Sequence, residues 1–291
     1  MRLLITDLDN TLYDWVTYFA HAFQALVKEL SMMVEVDEEQ LLDEFKAIHQ
    51  QYKNSEHPFA TLELPSVRKK FGNLSKPELL QVLEPPLSAF NKARNNHLQL
   101  YPGVSSTLKT LRKDGIVVVG HTEAIAENAL YRLRKLGIVD LFHHIYALEG
   151  HLEPHPDPKR QAYHSIPLHL IESVPQQERK PNPKLILDIC KREGVRPDEV
   201  WYVGDSLTRD ISMAQNAGVT SIWARYGTHY EPSLWKILVR ITHWTEEDVK
   251  RESELRRLAE GIQPDYTIDH FSDILGLFES HQRITVQLQH M

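Results

Sequence analysis

Four short runs of apolar residues punctuate the chain: LLIT from Leu3, IVVVGHT from Ile116, VWYVGD from Val200 and TSIWA from Thr220. Runs of this length without polar alternation predict strands covered on both faces. Between them the period changes. AENALYRLRKLG and PKLILDICKREG place apolar residues every three or four positions, as in a helix with one buried side. Strands alternating with such helices predict an α/β core with a parallel sheet. Ligands of such a sheet bind beyond the carboxyl ends of its strands, where Asp7, Thr122 and Asp205 fall.

The stretch from Asp14 to Leu100 is too long for a simple crossover and carries helical spacing throughout: Trp15, Phe19, Phe23, Leu26 and Leu30, then Leu41, Leu42, Phe45, Ile48 and Tyr52. Asp37 is placed to cap a helix and Pro85-Pro86 to interrupt one. The expected organisation is a small all-helical domain over residues 14–100, inserted into a core formed by residues 1–13 and 101–291. Two further segments exceed an ordinary connection. Residues 150–179 are rich in Pro and His, without strong strand signals, and residues 228–263 carry EEDVKRESELRRLAEG, the pattern of a solvated helix face.

With 291 residues, 42% of them hydrophobic, the chain can build one large core and a satellite domain. No apolar stretch reaches membrane-spanning length, and Asp7 and Asp9 interrupt any secretory pattern, so the expected location is the cytoplasm, away from membranes. A net charge of −7 excludes a nucleic-acid polymer as the expected partner. The only cysteine, Cys190, lies among Leu185, Ile186 and Ile189 and reads as a core thiol. His151, His155, His164 and His169 match no compact metal-ligand spacing.

Asp7 and Asp9 bring two carboxylates together at the end of the first apolar run, and like charges held so close need a neutralising partner. Downstream stand Thr122 in GHTEA, Lys180 in RKPNP, and Asp205 and Asp210 in GDSLTRD. With DLDNT, these resemble the four ordered motifs of the haloacid dehalogenase superfamily, in its phosphatase-like branch with a helical cap inserted after the first strand. The resemblance spans about Met1 to Gly227, and PDYTIDHFSDIL resembles the family's closing strand and helix. It implies a Rossmann-like core.

An aspartate is ionised at neutral pH, so Asp7 can attack phosphorus without a base and form an acyl phosphate that water then cleaves. One carboxyl group can protonate the leaving alcohol and then deprotonate the water, and the family assigns that role to the position of Asp9. Several carboxylates facing a phosphate call for a hard divalent cation. By resemblance this is Mg2+, held by the side chains of Asp7 and Asp205 and the backbone carbonyl of Asp9, with Asp210 in support. Lys180 then supplies fixed positive charge, Thr122 donates to a phosphate oxygen, and Thr11 fixes the turn around Asp9. Glu123 departs from the family pattern, which has a small or amide residue after the threonine.

The expected activity is magnesium-dependent hydrolysis of a small phosphorylated metabolite. A phosphomutase would keep both aspartates, and a phospho-ligand-binding protein could keep the fold without turnover; dehalogenation is disfavoured because Asp9 would have no leaving alcohol to protonate. Leu152 to Gln177, with Lys159 and Arg160, ends near Lys180 and is expected to form a specificity flap, with an inert surface excursion as the alternative. The sequence sets no oligomeric state.

Overall fold

The structure is a computed structural model that describes residues 1–57, 59–150, 167, 169–259 and 261–280. The chain opens with β1 (Leu3–Thr6), followed by α1 (Trp15–Val34), α2 (Glu38–Tyr52), α3 (Pro65–Phe71), α4 (Lys76–Val82) and α5 (Glu84–His97). Next come α6 (Val104–Lys113), β2 (Val117–Ile125), α7 (Ala126–Lys135), β3 (His144–Leu148), β4 (Ile171–Val174) and α8 (Pro183–Glu193). The last part holds β5 (Val200–Gly204), α9 (Ser212–Asn216), β6 (Thr220–Ala224), α10 (Pro232–Ile241), α11 (Glu246–Ala259) and β7 (Tyr266–Ile268).

The strands form one parallel seven-stranded sheet in the order β4-β3-β2-β1-β5-β6-β7. The four apolar runs become β1, β2, β5 and β6, inner strands that must be apolar on both sides. Leu4, Val118 and Trp201 pack with Leu108 of α6 and Leu133 of α7. Leu3, Ile5 and Tyr202 pack in a second cluster with Ile186 of α8 and Met213 of α9. The outer strands gave weaker signals. β4 lies inside the segment read as strandless: it is short and at the sheet's edge, and IESV puts the more exposed Glu172 and Ser173 between buried Ile171 and Val174, so it shows neither a continuous apolar run nor an alternation.

The chain leaves the centre of the sheet at β1 toward β2 on one side, and later returns to β5 on the other. That reversal opens a crevice at the carboxyl ends of β1 and β5.

The helical spacing after β1 matches helices. Phe19, Phe23, Leu26 and Leu30 are buried on α1, whose N-terminus is capped by Asp14 accepting from Thr17 N at 2.8 Å. Asp37 caps α2, accepting from Glu39 N at 3.2 Å. Pro85 and Pro86 lie in the first turn of α5, where a missing N–H costs no helical bond.

Residues 228–263 divide in two. α11 is largely solvated, as its charge run predicts, whereas α10 buries Leu234, Leu238 and Ile241 and packs against α1 and α2. His49 Nδ1–H donates to the carbonyl of Ile241 at 2.7 Å, Gln50 Nε2 to that of Trp244 at 3.1 Å, and His243 N to Ser55 Oγ at 2.9 Å. Among the described residues no helix is long and apolar enough to cross a membrane. His151, His155, His164, Lys159, Arg160 and most of the expected flap lie outside the described residues.

Candidate active site

Pairing between β1 and β5 continues one residue past the strand, with Asp7 N donating to the Val203 carbonyl at 2.9 Å. The next residues of β5's chain are Gly204 and Asp205, so Asp7 and Asp205 emerge side by side. Carboxylate oxygens of Asp7, Asp205 and Asp210 lie within 4.8 Å of one another. Asp210 stands on a π-helical turn, Leu207–Ile211, directly after this loop. Its carboxylate accepts from Ser206 N and from the Tyr202 hydroxyl, both at 3.1 Å. Gly204 is required here, because a Cβ at that position would lie 2.4 Å from Asp210 Cγ.

Lys180 enters from the loop before α8. Its Nζ lies 2.5 Å from Asp7 Oδ1 and 2.8 Å from Asp210 Oδ1, and the residue is buried. Burial pushes the Asp7 carboxyl up to about 7, against the pull of Lys180. Burial and the repulsion of Asp7 and Asp210 also raise the Asp205 carboxyl well above the usual carboxylate range. Burial also works against the charge of Lys180, but Asp210 and Asp7 hold it protonated well above the usual lysine range. Among the described residues Asp205 has no direct cation contact, so one ammonium faces three clustered carboxylates. Clustered hard oxygen donors short of positive charge fit Mg2+.

Asp9 follows a different course. Asn10 turns the chain at φ 58°, a left-handed conformation that asparagine tolerates, and its side chain accepts from Trp15 N at 3.1 Å. The Asp9 carboxylate accepts from Arg132 Nη1 at 2.8 Å. Arg132 projects from α7, with only 1% of its side chain exposed, and its Nη2 donates to both carboxylate oxygens of Glu56. Glu56 lies between α2 and α3 and also accepts from Trp15 Nε1 at 2.6 Å and from Asn128 Nδ2. Burial raises the Asp9 carboxyl despite the opposing pull of Arg132.

The remaining candidates are arranged around these two groups. Thr11, read as fixing the turn at Asp9, donates its hydroxyl to Asp7 Oδ2 at 3.1 Å. Thr122 is buried in β2, where its Oγ1 accepts from Ala124 N at 3.0 Å. Glu123, the departure from the family pattern, accepts from Lys180 N at 3.2 Å and from Arg209 Nη1 at 3.0 Å, so it ties the lysine loop to the π-helical turn. Cys190 is buried in α8, where burial pushes its thiol up to about 11 and leaves it a packing residue.

Sequence reasoning missed Arg132, Glu56 and Tyr202. Arg132 was legible in part, since it falls three positions after Ala129 on the apolar side of α7, where an arginine requires a buried partner. Glu56 gave no signal, because its partners lie far away in sequence.

A family model described as haloacid dehalogenase-like hydrolase matches residues 4–168 and 165–224. The chain is 25% identical over 234 residues to glyceraldehyde 3-phosphate phosphatase of Methanopyrus kandleri, covering 79% of this chain and 87% of that protein. It is 27% identical over 180 residues to phosphoglycolate phosphatase of Pasteurella multocida, covering 62% of this chain and 58% of that one. Among solved structures, the 2-haloacid dehalogenase of Pseudomonas syringae pv. Tomato DC3000 superposes with a TM-score of 0.57 at 20% identity, over 96% of this chain and 99% of that one.

Proposed function

The chain belongs to the haloacid dehalogenase-like hydrolases, and we propose that it is a Mg2+-dependent phosphatase of small phosphorylated metabolites in the cytoplasm, working through an aspartyl phosphate on Asp7. The observation that carries this reading is the placement of Asp7 at the end of β1, bonded to buried Lys180 and clustered with Asp205 and Asp210. Names of relatives make glyceraldehyde 3-phosphate and 2-phosphoglycolate the first substrates to try.

In this reading an Asp7 oxygen attacks phosphorus, the ester bond to the leaving oxygen breaks, and Asp9 gives that oxygen its proton. Burial suits Asp9 to this task by raising its carboxyl, so that a proton is available. The ionised Asp9 then takes a proton from water, which attacks phosphorus and frees Asp7 and inorganic phosphate. Lys180 fixes the orientation of Asp7, Thr11 holds its second oxygen, and Thr122 would donate to a phosphate oxygen. Asp7, Asp205 and the Asp9 carbonyl would hold Mg2+, with Asp210 steadying Lys180. When bound, the ion supplies positive charge to the phosphoryl oxygens. Residues 14–100 act as a cap over a core of residues 1–13 and 101–291, which encloses the site.

The test is phosphate release, with Mg2+ present, across a panel of phosphorylated metabolites and p-nitrophenyl phosphate. Turnover that Asp7→Asn abolishes in a folded protein supports the assignment. Turnover retained in that variant removes it.

A further inference from the structure

We propose that the part of the substrate leaving with the ester oxygen is uncharged next to that oxygen, and that Glu56 sets this preference; the inference rests on the phosphatase reading above. Protonation by Asp9 requires the leaving oxygen within hydrogen-bond reach of its carboxyl. The group attached to that oxygen therefore sits beside Arg132, which bonds Asp9 directly. Among the described residues, this guanidinium is the cation bonded to Asp9, the one a substrate carboxylate there would meet.

Both terminal nitrogens of the guanidinium are already committed, and its Nε is buried, without a hydrogen-bond partner among the described residues. Nη1 serves Asp9, Nη2 serves both oxygens of Glu56, and only 1% of the Arg132 side chain is exposed. Trp15 and Asn128 hold Glu56 in place from two other sides. Among the described residues, the cation bonded to the nucleophile, Lys180, is shared between Asp7 and Asp210. An arriving carboxylate would have to displace Glu56, stranding a carboxylate that is 15% exposed without its partner. A hydroxyl or carbonyl group meets no such obstacle, and a hydroxyl can donate to the Asp9 or Glu56 oxygens.

The matched probes are 2-hydroxyethyl phosphate and 2-phosphoglycolate, which differ in CH2OH against a carboxylate next to the ester carbon. The wild-type kcat/KM should favour 2-hydroxyethyl phosphate by about tenfold or more, and Glu56→Gln should narrow that ratio by about tenfold by releasing charge on Arg132. Equal or faster hydrolysis of 2-phosphoglycolate by the wild-type protein overturns the proposal, as does a ratio unmoved in folded Glu56→Gln. The wild-type ratio decides alone if the variant does not fold. p-Nitrophenyl phosphate is measured alongside. No phosphate release from any of the three overturns the phosphatase reading and this inference with it, whereas release from the aryl ester with an inverted ratio overturns this inference only.

Discussion

Arg132 Nη1 bonds Asp9 Oδ1 at 2.8 Å, so the orientation of a carboxylate near the end of β1 is set by a guanidinium on α7. Replacing Arg132→Met should free Asp9 to turn while leaving Asp7 and Lys180 untouched. Single-turnover phosphoenzyme formation should then fall by about tenfold or more for an alkyl phosphate and far less for p-nitrophenyl phosphate, whose leaving group needs little protonation. Equal losses for both esters would assign Arg132 a purely structural role. Arg132→Lys, which keeps the charge but not the fork, should recover part of the loss.

Lys180 is the one direct ammonium contact of Asp7 and Asp210 among the described residues. Lys180→Met leaves buried carboxylates facing each other, and should destabilise the metal-free protein by about 3–5 kcal/mol. Magnesium should restore more of the thermal midpoint in this variant than in the wild type, as read by thermal unfolding with and without the ion.

The metal-free site also predicts a proton release. Asp7 titrates at about 7 and Asp205 is raised as well, so near neutral pH the empty cluster carries protons that a cation must expel. Affinity for Mg2+ should therefore strengthen as pH rises through about 7. Calorimetry in buffers of different ionisation enthalpy should show protons released on binding, and Asp7→Asn should release fewer.

His49 is held neutral at the contact between α2 and the carbonyl of Ile241, where burial lowers its imidazole from 6.5 to about 4. The unfolded chain binds a proton below 6.5 that the folded chain refuses until about 4. Stability is therefore complete above the upper value and lost as pH falls between them, on the order of 3 kcal/mol for an ideal single group. His49→Asn keeps a donor toward Ile241 without the titration. Chemical denaturation between pH 7 and pH 4 should show a shallower acid loss in that variant.

Four of the inner strands, β1, β2, β5 and β6, were legible as continuous apolar runs, with β1 and β5 buried at every position, whereas inner β3, HIYAL, begins on the less buried His144 and was not read. β4 was not legible because IESV is a short edge strand whose polar Glu172 and Ser173 interrupt the apolar run. At the site, Asp7, Lys180, Asp205 and Asp210 could be named from ordered motifs, and the structure brings them into one cluster. The partners of Asp9 could not. Arg132 stands 123 positions after it and Glu56 lies between them, 76 positions before Arg132, and no local spacing encodes contacts made only when distant elements pack.

α10 gives the helices after β1 a second point of attachment, far from their own ends in the chain. Grafting residues 14–100 from a relative would leave Leu234, Leu238 and Ile241 facing water or a poorly fitting surface, at about 1.5–3 kcal/mol for each uncovered side chain. Arg240 would lose Asp43 and Glu39, and the carbonyl of Ile241 would lose His49. The interchangeable module is therefore discontinuous: residues 15–97 travel with residues 232–244 or not at all, and a change at Asp43 calls for a matching change at Arg240.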